Sequence, residues 1–243
     1  MKSDLTKYHL TYKRFGASAI LIEWPSEIDE DIIRNIVAFE KSIDIGRGIS
    51  DTFIAYNSLT IRYEEEVDFA SEMALLKKRY EEVKSLEAEE SRCWHIPICY
   101  HPEFGLDLDE ISRVKKISVE EVIRLHTEPE YLIYFIGFQP GFSYLGGLDA
   151  RIHMPRRANP RLRVEKGSVG IGGEQTGVYP SDSAGGWNII GKSPIYFFDI
   201  AKPKPCFAKA GDRIKFTSID ADDFHEISAK QREGRYELQF DSL

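Results

Sequence analysis

The N-terminal part of the chain, residues 1–88, shows two different spacings of its apolar positions. Runs rich in β-branched and aromatic residues predict strands, whereas apolar positions that recur every three or four residues predict amphipathic helices. Ser26 is expected to cap the first helix, with Ile28 and Ile32 among the residues on its apolar face. This mixture predicts an α+β two-layer domain. The other elements are expected at Tyr8–Phe15, Ala17–Trp24, Ile49–Tyr56, Leu59–Tyr63 and Val67–Leu86.

The C-terminal part, residues 92–243, follows a charged segment at Glu87–Arg92 that is interpreted as a linker. Short β-forming runs here alternate with loops that contain Gly and Pro and with a few helices. Such a pattern favours a closed or nearly closed β-barrel. Helices are expected after Asp107, which is interpreted as an N-cap, after Ser118, and over Ala221–Gln231. Strands are expected at Cys93–Tyr100, Glu130–Phe138, Ser168–Ile171, Trp187–Ile190, Ile195–Ile200, Asp212–Ile219 and Tyr236–Phe240.

Glycine is concentrated in one segment, residues 137–193, which holds 12 of the 18 glycines of the chain together with several aromatic residues. Glycine permits positive φ and close approach of the backbone, while the large rings argue against a flexible linker. The segment is therefore expected to form ordered loops whose aromatic side chains wall a pocket for a small polar ligand. The expected walls are Phe142, Tyr144, Tyr179 and Trp187.

Composition narrows the possible classes of function. The 243 residues carry a net charge of −8, which argues against a general nucleic-acid-binding protein. No apolar run approaches the roughly 20 residues of a membrane span, and the first residues form no apolar signal region. The three cysteines, Cys93, Cys99 and Cys206, lack metal-ligand spacing and are interpreted as reduced thiols. We expect a cytoplasmic protein without a membrane contact or a metal site.

One segment, Gly186–Ser193, matches the phosphate-loop pattern G-x-x-x-x-G-K-[ST] letter for letter. A phosphate loop needs a buried strand before it and a helix after it, because the helix N-terminus holds the phosphates. Here a turn precedes the segment, and Pro194 with a β-forming run follows it. The match is therefore rejected as a phosphate loop, and binding of a nucleotide by other means stays open.

A basic stretch, residues 151–166, holds six Arg or Lys among its 16 residues in an otherwise acidic chain. Planar guanidinium groups suit phosphate or carboxylate groups. Three interpretations stay open: an anion site within the chain's own pocket, a surface that binds an acidic partner, and an ordinary solvated loop. The arginines concerned are Arg156, Arg157, Arg161 and Arg163.

Uncharged polar residues also lie among the glycines, where an amide or hydroxyl group suits the recognition of an amide or a carboxylate. The alternative is that each of them stabilises its own turn. These residues are Gln139, Ser143, Gln175, Thr176 and Tyr179. His126 ends a predicted helix, where a cation interacts favourably with the helix dipole, and an acid/base role in the pocket is the second interpretation.

Several segments of the chain resemble one known family. They are Gly137–Asp149, Pro155–Arg157, Gly167–Ile171, Gln175–Pro180 and Gly185–Trp187, and Leu125–Thr127 and Phe15–Gly16 also fit. The resemblance, over nearly the full length, is to the B subunit of the bacterial ATP-dependent 5-oxoprolinase, a family also labelled allophanate hydrolase subunit 1 or the sporulation histidine-kinase inhibitor family. It implies an α+β domain over residues 1–88 and a cyclophilin-like β-barrel domain over residues 92–243.

The resemblance implies an enzyme subunit that opens 5-oxoproline to glutamate together with the C and A subunits, with ATP and Mg²⁺ supplied in the complex. The arginines would hold a phosphate or carboxylate, and the polar residues would contact the substrate amide. No nucleophile is evident in the chain, which favours a site shared with the C subunit. The expected site residues are His126, Gln175 and Arg157 for catalysis, and Arg156, Arg163, Thr176, Gln139, Phe142, Tyr144, Tyr179 and Trp187 for binding.

Two other functions stay open. The family includes a member that inhibits a histidine kinase, which implies a regulatory binding module, and carboxyltransferase-type domains that act on a urea-like amide. For the latter function, the chain lacks the biotin-accepting sequence Ala-Met-Lys-Met, so biotin would come from another protein. The family usually shows Ser-Pro-Gly-Phe-Pro-Tyr where this chain has Gln139–Tyr144, so the lip of the pocket differs.

Overall fold

The protein is described by a computed structural model over residues 8–46, 48–83 and 91–243. The chain divides into two compact units, one ending at Glu90 and one running from Ser91 to Leu243, and each is described by itself. Most of the predicted linker, Glu87–Arg92, lies outside the described residues. Across the described part of the chain, no helix combines the length and the apolar character that crossing a membrane requires.

The first unit is a four-stranded antiparallel sheet with two helices. Its elements are β1 (Thr11–Arg14), β2 (Ala19–Glu23), α1 (Glu30–Lys41), β3 (Ile49–Ala55), β4 (Ser58–Tyr63) and α2 (Phe69–Glu82). The strands pair in the order β1-β2-β4-β3. Each strand and each helix that the apolar spacing predicts here is present. Most have shorter bounds, whereas β4 begins one residue earlier than predicted, and the last residues of the second predicted helix, 84–86, lie outside the described residues.

The first helix begins later than predicted. Its N-cap is Asp29 rather than Ser26, and the Asp29 carboxylate accepts hydrogen bonds from the backbone N–H groups of Asp31 (2.8 Å) and Ile32 (3.2 Å). Ile28 therefore lies before the helix and is 63% exposed. Serine and aspartate are both favourable N-cap residues, so the sequence alone does not choose between them.

A buried amide fixes the packing of the two helices in this unit. Asn35 on α1 is 2% exposed, and its Oδ1 accepts hydrogen bonds from Trp24 Nε1 (2.6 Å) and Tyr80 Oη (2.9 Å). Tyr80 lies on α2, so one carbonyl oxygen links both helices to the residue that follows β2. Because a buried polar atom must be paired, these bonds favour one arrangement of the helices over its alternatives.

The second unit is built mainly from short strands. Its elements are β5 (Arg92–Cys99), α3 (Leu108–Lys115), α4 (Val119–Thr127), β6 (Glu130–Ile136), β7 (Ser143–Gly146), a 3-10 helix (Ala150–Ile152), β8 (Arg161–Val164), β9 (Ser168–Gly172), β10 (Gln175–Val178), β11 (Ser183–Gly185), β12 (Asn188–Lys192), β13 (Arg213–Ile219), α5 (Ala221–Arg232) and β14 (Phe240–Ser242).

Seven of these strands close a barrel in the order β12-β9-β10-β7-β6-β13-β5. The barrel closes where Lys192 of β12 pairs with Cys99 of β5. Strands β5 and β13 run parallel, whereas the other neighbouring strands are antiparallel. Strand β14 adds to β5, and β8 with β11 forms a separate two-stranded ribbon. The expectation of a closed β-barrel is confirmed.

Some predicted strands are wrong or displaced. The segment 195–200 forms no strand, because Ile195 and Phe197 are buried in the barrel core without pairing to a neighbouring strand, so their alternation reflects packing alone. At the C-terminal end, pairing begins at Phe240 rather than at Tyr236. Four strands were not predicted, namely β7, β8, β10 and β11. They are three or four residues long and include Gly, Ser, Gln and Arg, which are weak strand formers.

Candidate functional site

Strand β9 of the barrel presents two glycines on its outer face. Successive side chains of a strand point to opposite faces, and Val169 and Ile171 of β9 enter the barrel core. Gly170 and Gly172 therefore face outward. A Cβ atom at Gly172 would lie 2.3 Å from Cδ1 and Nε1 of Trp187. The missing side chain thus creates the space that the indole ring occupies.

An aromatic cluster covers Gly170 and Gly172. Phe142 lies at its centre, with ring centroids 5.1 Å from Tyr144, 5.8 Å from Tyr179 and 5.4 Å from Trp187. These four residues are the predicted pocket walls, and the structure brings them together. Phe142, Tyr179 and Trp187 are buried, so they pack on one another rather than around an open cleft. Burial raises the pKa of Tyr179, so its hydroxyl stays protonated at neutral pH.

Substituting the glycine under the indole ring tests this packing. We expect Gly172→Ala to displace Trp187 and to lower the free energy of unfolding by about 1–3 kcal/mol, as overpacking a close-packed site does. Near-ultraviolet circular dichroism and urea unfolding would measure both effects. Gly170→Ala is the matched control, because its Cβ would meet Trp187 Cβ at 3.1 Å and needs a smaller shift. Equal effects of the two variants would contradict the packing argument.

A buried carboxylate organises the basic stretch. Asp107 is 3% exposed, and its Oδ1 accepts hydrogen bonds from Arg157 Nη1 and Arg161 Nη2, both at 2.7 Å. Its Oδ2 accepts a bond from the backbone N–H of Ile189 at 2.6 Å. The N–H of Asp107 in turn donates to the carbonyl of Ile189 at 2.8 Å, which fixes Asp107 to β12. One carboxylate thus holds two guanidinium groups at the edge of the barrel.

Two nitrogen atoms of this network are left without a bond. Nε of Arg157 and Nη1 of Arg161 are buried and have no hydrogen-bond partner among the described residues. Arg157 Nη1 also lies 3.4 Å from Glu110, a half-exposed carboxylate. Buried donors of a charged group are normally satisfied, so these two nitrogens are exceptions to that rule within the described part of the chain.

Asp107 does not cap its helix as predicted, and Arg157 does not fit the interpretation of the basic stretch as a solvated loop. Asp107 stands at the N-cap position of α3, but its side chain makes no capping bond, because both oxygens are taken by the arginines and Ile189. Arg157 is not a freely solvated loop residue. Its side chain is 32% exposed, and its backbone N–H donates to the carbonyl of Gly186 at 2.7 Å.

The other predicted arginines lie on the surface nearby. The guanidinium carbon of Arg156 is 5.9 Å from the centre of the Trp187 ring, and the Arg156 side chain is exposed. Arg163 pairs with Asp182 at 2.8 Å, and both of these side chains are exposed. Arg156 therefore combines exposure with a position over the aromatic cluster, whereas Arg163 is held by an acidic neighbour.

The two predicted glutamines are half-buried and lie on different elements of the unit. Gln139, in the loop between β6 and β7, accepts a hydrogen bond from Ser181 Oγ at 3.2 Å. Gln175 begins β10, pairs with Gly172 across the strands and is half-buried. Ser143 is buried at the start of β7, where it pairs with Ile136.

His126 and Thr176 lie inside the barrel. Nδ1 of His126 is 2.6 Å from Tyr100 Oη, and Nε2 is 2.7 Å from Thr176 Oγ1. Thr176 Oγ1 donates to the carbonyl of Gly170 at 3.0 Å, so it accepts a bond from Nε2–H, and Nδ1 accepts one from the Tyr100 hydroxyl. This tautomer is assigned from the hydrogen-bond network. Burial lowers the pKa of His126 to about 3, so the ring is neutral at physiological pH.

The barrel wall separates the predicted residues into two groups. Thr176 faces the core, while Gly177, the next residue of β10, faces Phe142 and Trp187. The geometry favours a packing role for His126, and its catalytic role stays a prediction. Sequence reasoning did not identify Asp107 and Tyr100 as members of these networks. No local signal marks them, since their side-chain partners lie 26 to 54 residues further along the chain.

Most of Gly186–Ser193, the segment that matches the phosphate-loop pattern, forms a strand. Asn188–Lys192 forms β12, no helix follows it directly, and Lys192 Nζ pairs with Glu165 at 2.6 Å. The rejection of a phosphate loop is confirmed, and these residues do not fit the phosphates of ATP. Among the described residues, no group of three or more His, Cys, Asp or Glu side chains is placed to hold a metal ion.

Family membership follows from the sequence as a whole. Residues 10–208 match the family described as the carboxyltransferase domain, subdomain C and D. The chain belongs to this family. The 5-oxoprolinase B subunit of Bacillus subtilis is 38% identical over 226 residues, which cover 88% of this chain and 94% of that protein. The protein of the same name from Haemophilus influenzae is 38% identical over 199 residues, or 82% of this chain and 93% of its own length. The family resemblance inferred from the glycine-rich segments is confirmed.

Longer proteins contain the same carboxyltransferase fold. The crystal structure of TTHA0988 superposes on this chain with a TM-score of 0.72, and the two sequences are 28% identical. The match covers 84% of this chain and 40% of the TTHA0988 chain. The urea amidolyase of K. lactis, at 19% identity and a TM-score of 0.79, shares the fold over 100% of this chain and 17% of its own. The urea amidolyase of Lachancea kluyveri is 23% identical over 98% of this chain and 15% of that protein. The chain therefore spans less than half of each of these longer proteins.

Proposed function

We propose that this chain is the B subunit of an ATP-dependent 5-oxoprolinase, a cytoplasmic complex that opens 5-oxoproline to glutamate together with the A and C subunits. The observation that carries the proposal is the 38% identity to a B subunit over 94% of that protein's length. The same proposal assigns the barrel to the cyclophilin-like class and places its domain at residues 92–243. The histidine-kinase inhibitor alternative stays a prediction.

The arginine network suits the chemistry of this substrate. Ring opening adds water across the lactam C–N bond of a molecule that already carries a carboxylate. Arg157 and Arg161, held in place by Asp107, offer preorganised donors to that carboxylate or to a phosphate, and Arg156 adds an exposed positive charge above Trp187. Gln175 supplies a half-buried amide for the substrate carbonyl. ATP and Mg²⁺ are supplied in the complex.

The direct test is enzymatic. The chain would be co-purified with the A and C subunits, and glutamate released from 5-oxoproline would be measured with and without ATP. We expect ATP-dependent glutamate formation that disappears when this chain is left out. Full activity of the A and C subunits alone would contradict the proposal, as would a complete complex that releases no glutamate.

Arg156 is the residue whose removal tests the anion site with the least structural damage. Hydrogen bonds to charged groups contribute about 1.5–3 kcal/mol, so Arg156→Ala is expected to lower kcat/KM for 5-oxoproline about 10- to 100-fold. Thermal unfolding should be unchanged, because the side chain is exposed. Arg151→Ala is the matched control, since Arg151 is an exposed arginine of the same stretch that pairs with Asp149. Equal losses in both variants would point to general charge rather than to a site.

A second candidate function is carboxyl transfer to a urea-like amide. It is favoured by the description of the family and by the match to urea amidolyase over 98% of this chain. Biotin would be carried by another protein. A biotin-dependent carboxylation of urea by this chain with a biotin carboxylase partner, in the absence of glutamate formation from 5-oxoproline, would favour this function over the first.

A further inference from the structure

The loop that carries Arg156 is fixed on both sides of that residue. The peptide unit before Arg156 contains the carbonyl of Pro155, which accepts a hydrogen bond from Asn188 Nδ2 at 2.9 Å. The peptide unit after it contains the N–H of Arg157, which donates to the carbonyl of Gly186 at 2.7 Å. Because the orientations of the two flanking peptide planes set φ and ψ of a residue, these bonds fix the backbone at Arg156.

The side chain of Arg156 contacts the residue between these two anchors. Its guanidinium carbon lies 5.9 Å from the centre of the Trp187 ring, and the ring itself is buried. Gly186, Trp187 and Asn188 are consecutive, so one short segment contacts the loop through a carbonyl, a ring and an amide. The attraction of an exposed cation to an indole ring is weak, so the backbone hydrogen bonds must supply most of the alignment.

The amide of Asn188 links this loop to the barrel. Asn188 is the first residue of β12 and is 3% exposed. Its Nδ2 also donates to the carbonyl of Ile171 at 3.1 Å, the residue opposite it on β9. Since both partners are carbonyl oxygens, the nitrogen of the amide must face them, and an ionised carboxylate in its place could donate to neither. One bond therefore anchors the amide to the neighbouring strand, and the other extends to the Pro155 carbonyl.

Asn188 bonds to the loop at the residue where backbone pairing ends. Met154 pairs with Gly173 through two backbone hydrogen bonds of 3.0 and 2.6 Å. Pro155, the next residue, is exposed and has no N–H to donate, so this pairing cannot continue through it. The bond from Asn188 reaches the one backbone hydrogen-bonding group that a proline has, its carbonyl. The amide thus aligns the chain directly before Arg156.

We propose that Asn188 is a positioning residue: it holds the Pro155 carbonyl and thereby keeps the Arg156 guanidinium where it meets the carboxylate or phosphate of the substrate. The assignment rests on the proposed function. Asn188 itself does not touch the substrate and acts through Arg156. The segment whose phosphate-loop match is rejected thus contributes to anion binding indirectly, through the loop that it aligns.

A double-mutant cycle in the complete complex separates positioning from stability. Asn188→Leu removes the amide at nearly unchanged size, and we expect it to lower kcat/KM for 5-oxoproline about 10-fold, because a misplaced binding group loses its effect. The loss should fall on the same constant, KM or kcat, as in Arg156→Ala. If Asn188 acts through Arg156, the double variant should lie within about threefold of Arg156→Ala alone, whereas independent effects would multiply.

Asn35→Leu is the matched control, because Asn35 is a buried asparagine of the first unit whose carboxamide also takes part in two hydrogen bonds. It should lower stability in urea unfolding yet keep the wild-type kcat/KM at a temperature where the chain is folded. Amide hydrogen exchange gives a readout without activity. The N–H of Arg157 should exchange at least about 10-fold faster in Asn188→Leu than in wild type, and at the wild-type rate in Asn35→Leu.

The possible results separate this proposal from the enzymatic one. Effects that multiply in the cycle, or unchanged exchange at Arg157, would overturn the role of Asn188 even if the complex is a 5-oxoprolinase. An equal loss of kcat/KM in Asn35→Leu would reflect stability alone and would also overturn it. Asn188→Ser, which adds no bulk, replaces the leucine variant if that variant does not fold, and loss of folding in both would contradict the proposal. A wild-type complex that forms no glutamate would remove the proposed function and the positioning role together.

Discussion

Replacing Asp107 with alanine is expected to lower the free energy of unfolding of the second unit by about 3–5 kcal/mol, the usual penalty for removing one partner of a buried ion pair. The side chain of Asp107 is 4% exposed and ties Arg157 and Arg161 to β12. Its loss leaves two partly buried guanidinium groups without their carboxylate. Urea unfolding, followed by hydrogen exchange of amides in residues 91–243, would measure the effect.

Asp182→Ala is the matched control for this experiment. Asp182 also pairs with an arginine of the basic stretch, Arg163, but its side chain is 48% exposed and that of Arg163 is 73% exposed. A surface ion pair contributes about 0–1 kcal/mol, so the control should change stability little. Asp107→Asn should fall between the two, since the amide oxygen still accepts a bond and the charge is lost. Equal stability of Asp107→Ala and wild type would show that the network does not hold the unit together.

The hydrogen bonds of Asp107 also affect how a substitution at Arg157 is interpreted, because Arg157 contributes to the stability of the fold. A loop arginine that is only solvated can be removed without harm to the fold, whereas Arg157 shares a buried carboxylate with Arg161. Loss of activity in Arg157→Ala would therefore mix a direct effect on an anion with a weaker fold. The exposed Arg156 avoids this ambiguity, which is why it carries the test of the anion site.

Sequence reasoning located the aromatic cluster but not the network of Asp107. Glycines at alternate positions next to large aromatic residues are a local signal, and Gly172 does lie under the ring of Trp187. Asp107 precedes a helix and resembles an ordinary N-cap, while Arg157 lies 50 residues further on. Only the closure of the barrel brings that pair together, so no spacing in the sequence reveals it.

The strands of the barrel also differ in whether the local sequence or the neighbouring strands determine them. Runs of aromatic and aliphatic residues, such as Glu130–Ile136, are predictable as strands because pairing and burial coincide in them. Short strands such as Gln175–Val178 contain Gly and Gln and become strands through their neighbours. Conversely, Ile195 and Phe197 alternate like a strand but serve only to fill the core. Tertiary context decides each of these cases.

Acid is expected to destabilise the barrel through His126. Burial lowers the pKa of His126 to about 3, while the unfolded chain binds a proton near pH 6.5. Below that pH the unfolded state therefore holds more protons than the native state, so stability falls as the pH drops from about 6.5 toward 3 and is unaffected above that window. At its steepest, this single group contributes about 1.4 kcal/mol per pH unit.

The variant His126→Gln separates this effect from the titration of carboxylates. Glutamine has no proton to gain in the window, so the variant should be less stable than wild type at pH 7 yet lose less stability between pH 6 and pH 4. Because burial raises the pKa values of Tyr100 and Tyr131, the tyrosines beside the imidazole ring do not titrate there. His101→Gln, at an exposed histidine, should keep the wild-type slope. Parallel stability curves for wild type and His126→Gln would mean that the imidazole is solvated and ionised in the folded protein, which would make His126 a candidate acid/base residue again.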